Sequence, residues 1–220
     1  VTALRLHRTG DPALGAAVQA VIRKIMKAHG RVIFNGDNYA AAWQQEAARR
    51  GLPNAPDTAE AIRAAENAAN DEMLSRMGVL SVREFHSRNE IYLEKYVKEV
   101  MTEARLSFEI AKTLIFPAAV SYQKLLAETA LGLKALGQKH CTTVLDELCG
   151  LAAELQARIE ALRTAIAQAG NGQLAAHARH CRQQVIPAMD AVRAVADQLE
   201  SIVPDEFWPL PTYQEMLFIK

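Results

Sequence analysis

From Leu174 to Ile202 the apolar residues Leu174, Ala178, Cys181, Val185, Ala188, Val192, Val195, Leu199 and Ile202 follow one another at steps of four and three without a break. That alternation keeps one edge of an α-helix apolar along its whole length, whereas a strand needs steps of two. An edge this long cannot be left in water, so the chain must supply partner helices. Two segments qualify. One carries Val144, Leu148, Leu151, Leu155, Ile159, Leu162 and Ile166, and the other carries Leu93, Val97, Met101, Ala104, Phe108, Ala111, Ile115, Ala118, Tyr122 and Leu125. Gly170-Asn171-Gly172 separates the last two helices, and so short a turn makes them an antiparallel hairpin. The fold class expected is mainly α, an antiparallel bundle of three long helices, kinked where Pro117 and Pro187 interrupt the hydrogen-bond ladder.

Shorter helices precede the bundle. Asp11-Pro12 is a helix start, and Gly30 is placed to end that helix in the left-handed conformation. The stretch "RVIFNGDNY", Arg31 to Tyr39, breaks the helical pattern. Asn35-Gly36 is a hairpin signal, but a helix and not a second strand follows. The stretch is therefore read as a joint. "RVIF" forms one short strand, Gly36 takes a positive φ, and Asp37 or Asn38 caps a helix from about residue 37 to 50 that ends at Gly51. Asp57 with Glu60, and more clearly Ser81 with Glu84, are capping-box patterns. The first opens a helix running to Met77-Gly78 and the second opens the first long helix. The tail from Pro204 gathers Phe207, Trp208, Tyr213 and Phe218 among three prolines, so it is read as extended and docked on this bundle or a neighbour. The domain boundaries expected are 1–80, 81–203 and 204–220.

Half of the 220 residues are apolar, enough for a sizeable core. Lys plus Arg and Asp plus Glu both total 25, so the formal net charge of zero offers no electrostatic footprint for nucleic acid or an anionic membrane. No apolar run is long enough for a transmembrane helix. Three cysteines without paired spacing argue against a disulfide framework and for a reducing, cytoplasmic setting. The chain does not open with Met, which reads as a piece of a longer protein.

Few residues suggest chemistry. His177 and Cys181 stand four apart on a helix, a spacing that can hold zinc, but Cys181 lies on the apolar seam where a thiol acts as a small hydrophobe. "REFHSRNE" gathers Glu84, His86, Arg88 and Glu90, of which His86 and Arg88 are candidates for proton transfer or charge stabilisation. Asn35 and Asp37 are too few oxygen donors for a calcium loop, and a phosphate loop would need more glycines and a Lys. They are kept as candidates, with Phe207, Trp208 and Tyr213 as interface candidates. No catalytic, cofactor-binding or metal-binding residue is assigned, and no nucleophile elbow or dinucleotide fingerprint is present.

Four segments resemble the C-terminal region of type III glutamine synthetase: "RVIFNGDNYAAAWQQEAARRGLPN" (31–54), "HSRNEIYLEKYVKEVMTEA" (86–104), "AKTLIFPAAVSYQKLLAETA" (111–130) and "FWPLPTYQEMLF" (207–218). The resemblance implies a parent enzyme that ligates ammonia to glutamate with ATP and Mg²⁺ or Mn²⁺, and it places the catalytic motifs outside this chain. It also implies that the fragment binds no cofactor itself. Its partners would be the catalytic domain of the same chain and neighbouring subunits in a homo-oligomer of stacked hexameric rings, with no nucleic acid or membrane. A stand-alone helical scaffold, binding partner helices through its heptads, is the alternative.

Overall fold

The computed structural model describes residues 12–169, 173–211 and 213–218, and among them every regular element is helical. The chain divides into two compact units, Val1–Pro56 and Asp57–Lys220. The first holds α1 (Pro12–His29), a 3₁₀ turn (Gly30–Val32) and α2 (Ala41–Arg49). The second holds α3 (Thr58–Ala65), α4 (Ala68–Arg76), α5 (Val82–Ile110), α6 (Phe116–Ala135), α7 (Thr143–Gln168), α8 (Leu174–His180), α9 (Ile186–Glu200) and the short α10 (Tyr213–Leu217).

The caps explain most boundaries. Ser81 and Glu84 close a complete capping box at the start of α5, each side chain bonding the other's backbone amide. Asp57 accepts from the Glu60 amide at 2.9 Å and starts α3. The single helix expected from there to Met77 is broken, because Asn67 accepts from the Asn70 amide and starts α4. Gly51, Gly78 and Gly137 take positive φ at helix ends, as achiral residues can without a Cβ penalty. Gly30 does not, and it begins the 3₁₀ turn instead. Asp11 and the Gly170–Gly172 turn lie outside the described residues.

Long helices α5 and α6 are joined through a π-helical turn, Ala111–Ile115, and α8 and α9 through another, Cys181–Val185. Each turn sits just ahead of a proline at the second position of the following helix, Pro117 or Pro187. A proline nitrogen donates no hydrogen bond and its ring strikes the carbonyl four residues back. The wider turn relieves both problems by letting the preceding amides, Phe116 and Ile186, reach back five residues to the Ala111 and Cys181 carbonyls. It also adds a residue to the turn. The seam read from the sequence continues Ile115 to Ala118; in the structure Ala119 is the fully buried residue and Ala118 is 9% exposed.

α7 lies between α6 and α9, and both neighbours run antiparallel to it. Gln123 of α6 donates to the Leu148 carbonyl, and His180 lies 2.8 Å from the Ala165 carbonyl across the hairpin. The core is Leu148, Leu155 and Leu162 of α7 against Leu199, Val185 and Cys181, all fully buried. Small residues Ala104, Ala111, Ala119 and Ala178 let the backbones close on them. The tail packs back on this bundle: Phe207 meets Tyr122 with ring centroids 5.8 Å apart, and Trp208 and Leu210 join the same cluster.

Leu155→Ala opens a cavity that cannot collapse between three helices and is expected to lower stability by about 2–5 kcal/mol, read as a lower denaturant midpoint with an unchanged slope.

Candidate functional site

The joint around Asn35 is built from α2. Arg50, at the end of that helix, donates from Nη1 to the Ile33 carbonyl at 2.6 Å and to the Arg31 carbonyl at 3.3 Å. Its Nε donates to Glu46 at 2.6 Å, and its guanidinium stacks 5.9 Å from the Phe34 ring centre and 5.7 Å from that of Trp43. Phe34 in turn stacks on Trp43 at 4.4 Å. One arginine thus ties the loop to the helix by charge and by its flat face. The hydrogen bonds from Arg50 and Arg49 hold the Glu46 carboxyl below the ordinary carboxylate range.

These contacts change three expectations. "RVIF" is a 3₁₀ turn followed by unpaired chain, because Arg50 takes the carbonyls a strand partner would use. Gly36 has no positive φ; it is needed for space, since a Cβ there would stand 2.5 Å from the Phe34 ring. Asp37 does not cap α2: its carboxylate accepts from the Tyr39 amide at 2.9 Å in an Asx turn, and α2 starts at Ala41 with no side-chain cap. Asn35 is exposed.

On α5, His86 places Nε2 3.0 Å from both carboxylate oxygens of Asp71 on α4. That hydrogen bond raises the His86 pKa above its ordinary value. Arg88 is exposed and acts on the neighbouring Glu84, whose carboxyl is lowered chiefly by its Ser81 hydrogen bond. His86 lies on the wall of a cleft of about 740 Å³ between the start of α5 and the start of α8. Asn89 also lines it, although only 6% exposed, and its Nδ2 has no hydrogen-bond partner. A second groove, of about 910 Å³, runs between α7 and the first π turn. Its charged groups are already matched: Arg163 pairs with Glu160, and Lys112 sits 5.3 Å over the Phe108 ring.

Sequence reasoning named His86 without Asp71, which arrives from a separate helix. It passed over Asn89, although Asn89 stands four residues before Leu93 and so continues the apolar seam with a polar group. Phe207 and Trp208 turn inward, with the Trp208 Nε1 buried and unpartnered. The Tyr213 side chain lies outside the described residues. Cys181 is a core residue, and no group of three or more metal-ligating side chains forms among the described residues.

Together these observations show, among the described residues, helices packed around two clefts, one of them with His86 and Asn89 on its wall. The family described as glutamine synthetase C-terminal domain matches residues 17–134. The chain is 33% identical to the Type-3 glutamine synthetase of Dictyostelium discoideum, over 93% of this chain and 29% of that protein. It is 31% identical to a glutamine synthetase of Butyrivibrio fibrisolvens, over 96% of this chain and 31% of that one. A glutamine synthetase of Bacteroides fragilis is 30% identical over 93% of this chain and 29% of its own length. The chain belongs to the glutamine synthetase C-terminal domain family, and it spans under a third of the length of these relatives.

Gly36→Ala drives a methyl into the Phe34 ring and is expected to loosen the Phe34–Trp43 stack at a cost of about 1 kcal/mol, visible as a shift in Trp43 fluorescence in a Trp208→Phe background. The His86–Asp71 pair stabilises the fold while His86 is protonated in both states, below about pH 6.5, and this contribution disappears as pH rises through the raised folded value. An NMR titration of His86 should give a midpoint above 6.5, falling back in Asp71→Asn.

Proposed function

We propose that this region is a structural and assembly element of a type III glutamine synthetase, an enzyme that ligates ammonia to glutamate with ATP and Mg²⁺ or Mn²⁺ supplied by motifs elsewhere in the polypeptide. The observation that carries the reading is α1. Ile22, Ile25 and Met26 are 53%, 52% and 48% exposed along one side of that helix, a larger run of apolar surface than a solvated helix keeps. Relatives at least three times as long supply the surface such a face would cover, in the catalytic part of the same chain or in a neighbouring subunit of a homo-oligomer.

The scaffold alternative needs heptads that face outward. Ala178, Cys181, Val185 and Leu199 are fully buried inside this chain, so the unbroken seam from Leu174 to Ile202 has no side left for a foreign helix. Among the described residues no helix is long and apolar enough to cross a membrane.

Ile22→Glu with Ile25→Glu, made in the full-length enzyme, is expected to shrink the particle seen by light scattering and to lower kcat. The melting temperature of the isolated 220-residue chain should stay within about 2 °C, because exposed positions contribute little to its own stability. Unchanged particle size and kcat would remove the assembly role.

A further inference from the structure

Two stretches of the bundle repeat one another at a constant offset. Ala111-Lys112 and Cys181-Arg182 open the two π turns, Ile115 and Val185 close them, and Phe116-Pro117-Ala118 and Ile186-Pro187-Ala188 follow. The match extends to burial. Ala111, Ile115, Cys181 and Val185 are at most 4% exposed, whereas the three residues between each pair are exposed. Equivalent positions therefore present equivalent surfaces, with one basic residue at the same place on each.

The second turn shows what such a surface holds. α3 lies against α5 and α8, and Ala59 in its first turn packs on the core. One carboxylate oxygen of Asp57 caps α3 through the Glu60 amide, and the other accepts from Arg182 Nε at 3.1 Å. A capped helix start is thus seated on the basic residue of the turn.

At the first turn the corresponding surface is the groove of about 910 Å³ shared with α7. Phe108 and Phe116 stand four residues before and after Lys112, and with Ile159 they form its apolar wall. On α7 the small side chains of Ala153 and Ala157 let a helix backbone come close. The charged groups are Lys112, Glu160 and Arg163. Arg163 pairs with Glu160, and the Lys112 charge also acts on that carboxylate. Lys112 itself sits over the Phe108 ring, which attracts a cation but leaves most of its three donors unused. The groove therefore carries one positive charge beyond its ion pair, and a single carboxylate balances it.

We propose that this groove seats the first turn of an aspartate-capped helix from the catalytic part of the longer polypeptide, its cap held by Lys112 as Asp57 is held by Arg182. The relatives are at least three times as long as this chain, so such a helix has a source outside it. A second copy of the chain offers no equivalent: among the described residues Asp57 is the one carboxylate cap, and Arg182 already holds it. The inference takes its partner from the proposed parent enzyme and does not rest on α1.

Acetylation of the full-length enzyme, read by peptide mass spectrometry, tests it. Lys98 and Lys124, with side chains 71% and 77% exposed on the same helical stretch, are the internal references. Lys112 is expected to react about tenfold or more slowly than either, because it is reached only when the groove opens. Carbodiimide coupling should join Lys112 to an aspartate outside the 220 residues. Ala157→Arg, at an exposed position, blocks the groove and should bring Lys112 up to the reference rate. Reaction of Lys112 at the reference rate in the unaltered enzyme overturns the proposal. So does the lack of any Lys112 cross-link beyond the 220 residues, or slow reaction that persists in Ala157→Arg. Each of these results leaves the light-scattering test of α1 untouched, so the two readings fail separately.

Discussion

A proline nitrogen carries no hydrogen, and the bundle places one such nitrogen well inside each of two long helical stretches. Everything downstream of Pro117 and Pro187 depends on how that gap is handled. An ordinary α-turn would set the proline ring against a carbonyl and bend the helix sharply. The π turns at Ala111–Ile115 and Cys181–Val185 widen the ladder instead, so both stretches remain continuous enough to pack along α7. The residues lining these turns, Ala111, Ile115, Cys181 and Val185, are all at most 4% exposed. Residues 112–114 and 182–184 are exposed, so each turn sends only its first and last side chains into the core, which they share with Leu155 and Leu162 of α7.

The two turns also share a chemical detail. The second residue of each is basic, Lys112 in one and Arg182 in the other. Arg182 donates to Asp57 at 3.1 Å, the same aspartate that caps α3. One carboxylate thus starts a helix and fastens it to the bundle. Its ion pair is partly exposed, so the gain is modest; the more important contribution is the placement of α3 beside α5 and α8. In the first unit, Arg50 does a comparable job for the Arg31–Tyr39 joint, combining carbonyl contacts with stacking on Phe34 and Trp43.

The bundle was legible in the sequence because its signal is redundant: each seam repeats over many turns, and a single misplaced residue does not change the period. The capping box at Ser81 was equally plain, since both partners are three residues apart. What stayed hidden depends on contacts between distant positions. Nothing near "RVIF" announces that Arg50, seventeen residues beyond Ile33, takes the backbone groups a strand would need. Gly36 was read for its φ when the relevant fact was a ring lying over its Cα. The break at Asn67 is local, but Asn caps and mid-helix Asn residues look alike without the dihedral angles. Of the candidate site, His86 was named and its surroundings were not, because Asp71, Glu66 and Gln173 reach it from three other segments.

The π turns bear on how such a chain can change over time. Each is one residue longer than the α-turn it replaces, so the insertion and the proline form a matched pair. Losing the extra residue first would return the ladder to α geometry, with the following side chains still on their face, and would press the proline ring into the carbonyl four residues back. Losing the proline first leaves a wide turn that the core still fills. Substitution before deletion is thus the open route and the reverse order is closed, so the history of these helices is directional at two separate points along the bundle.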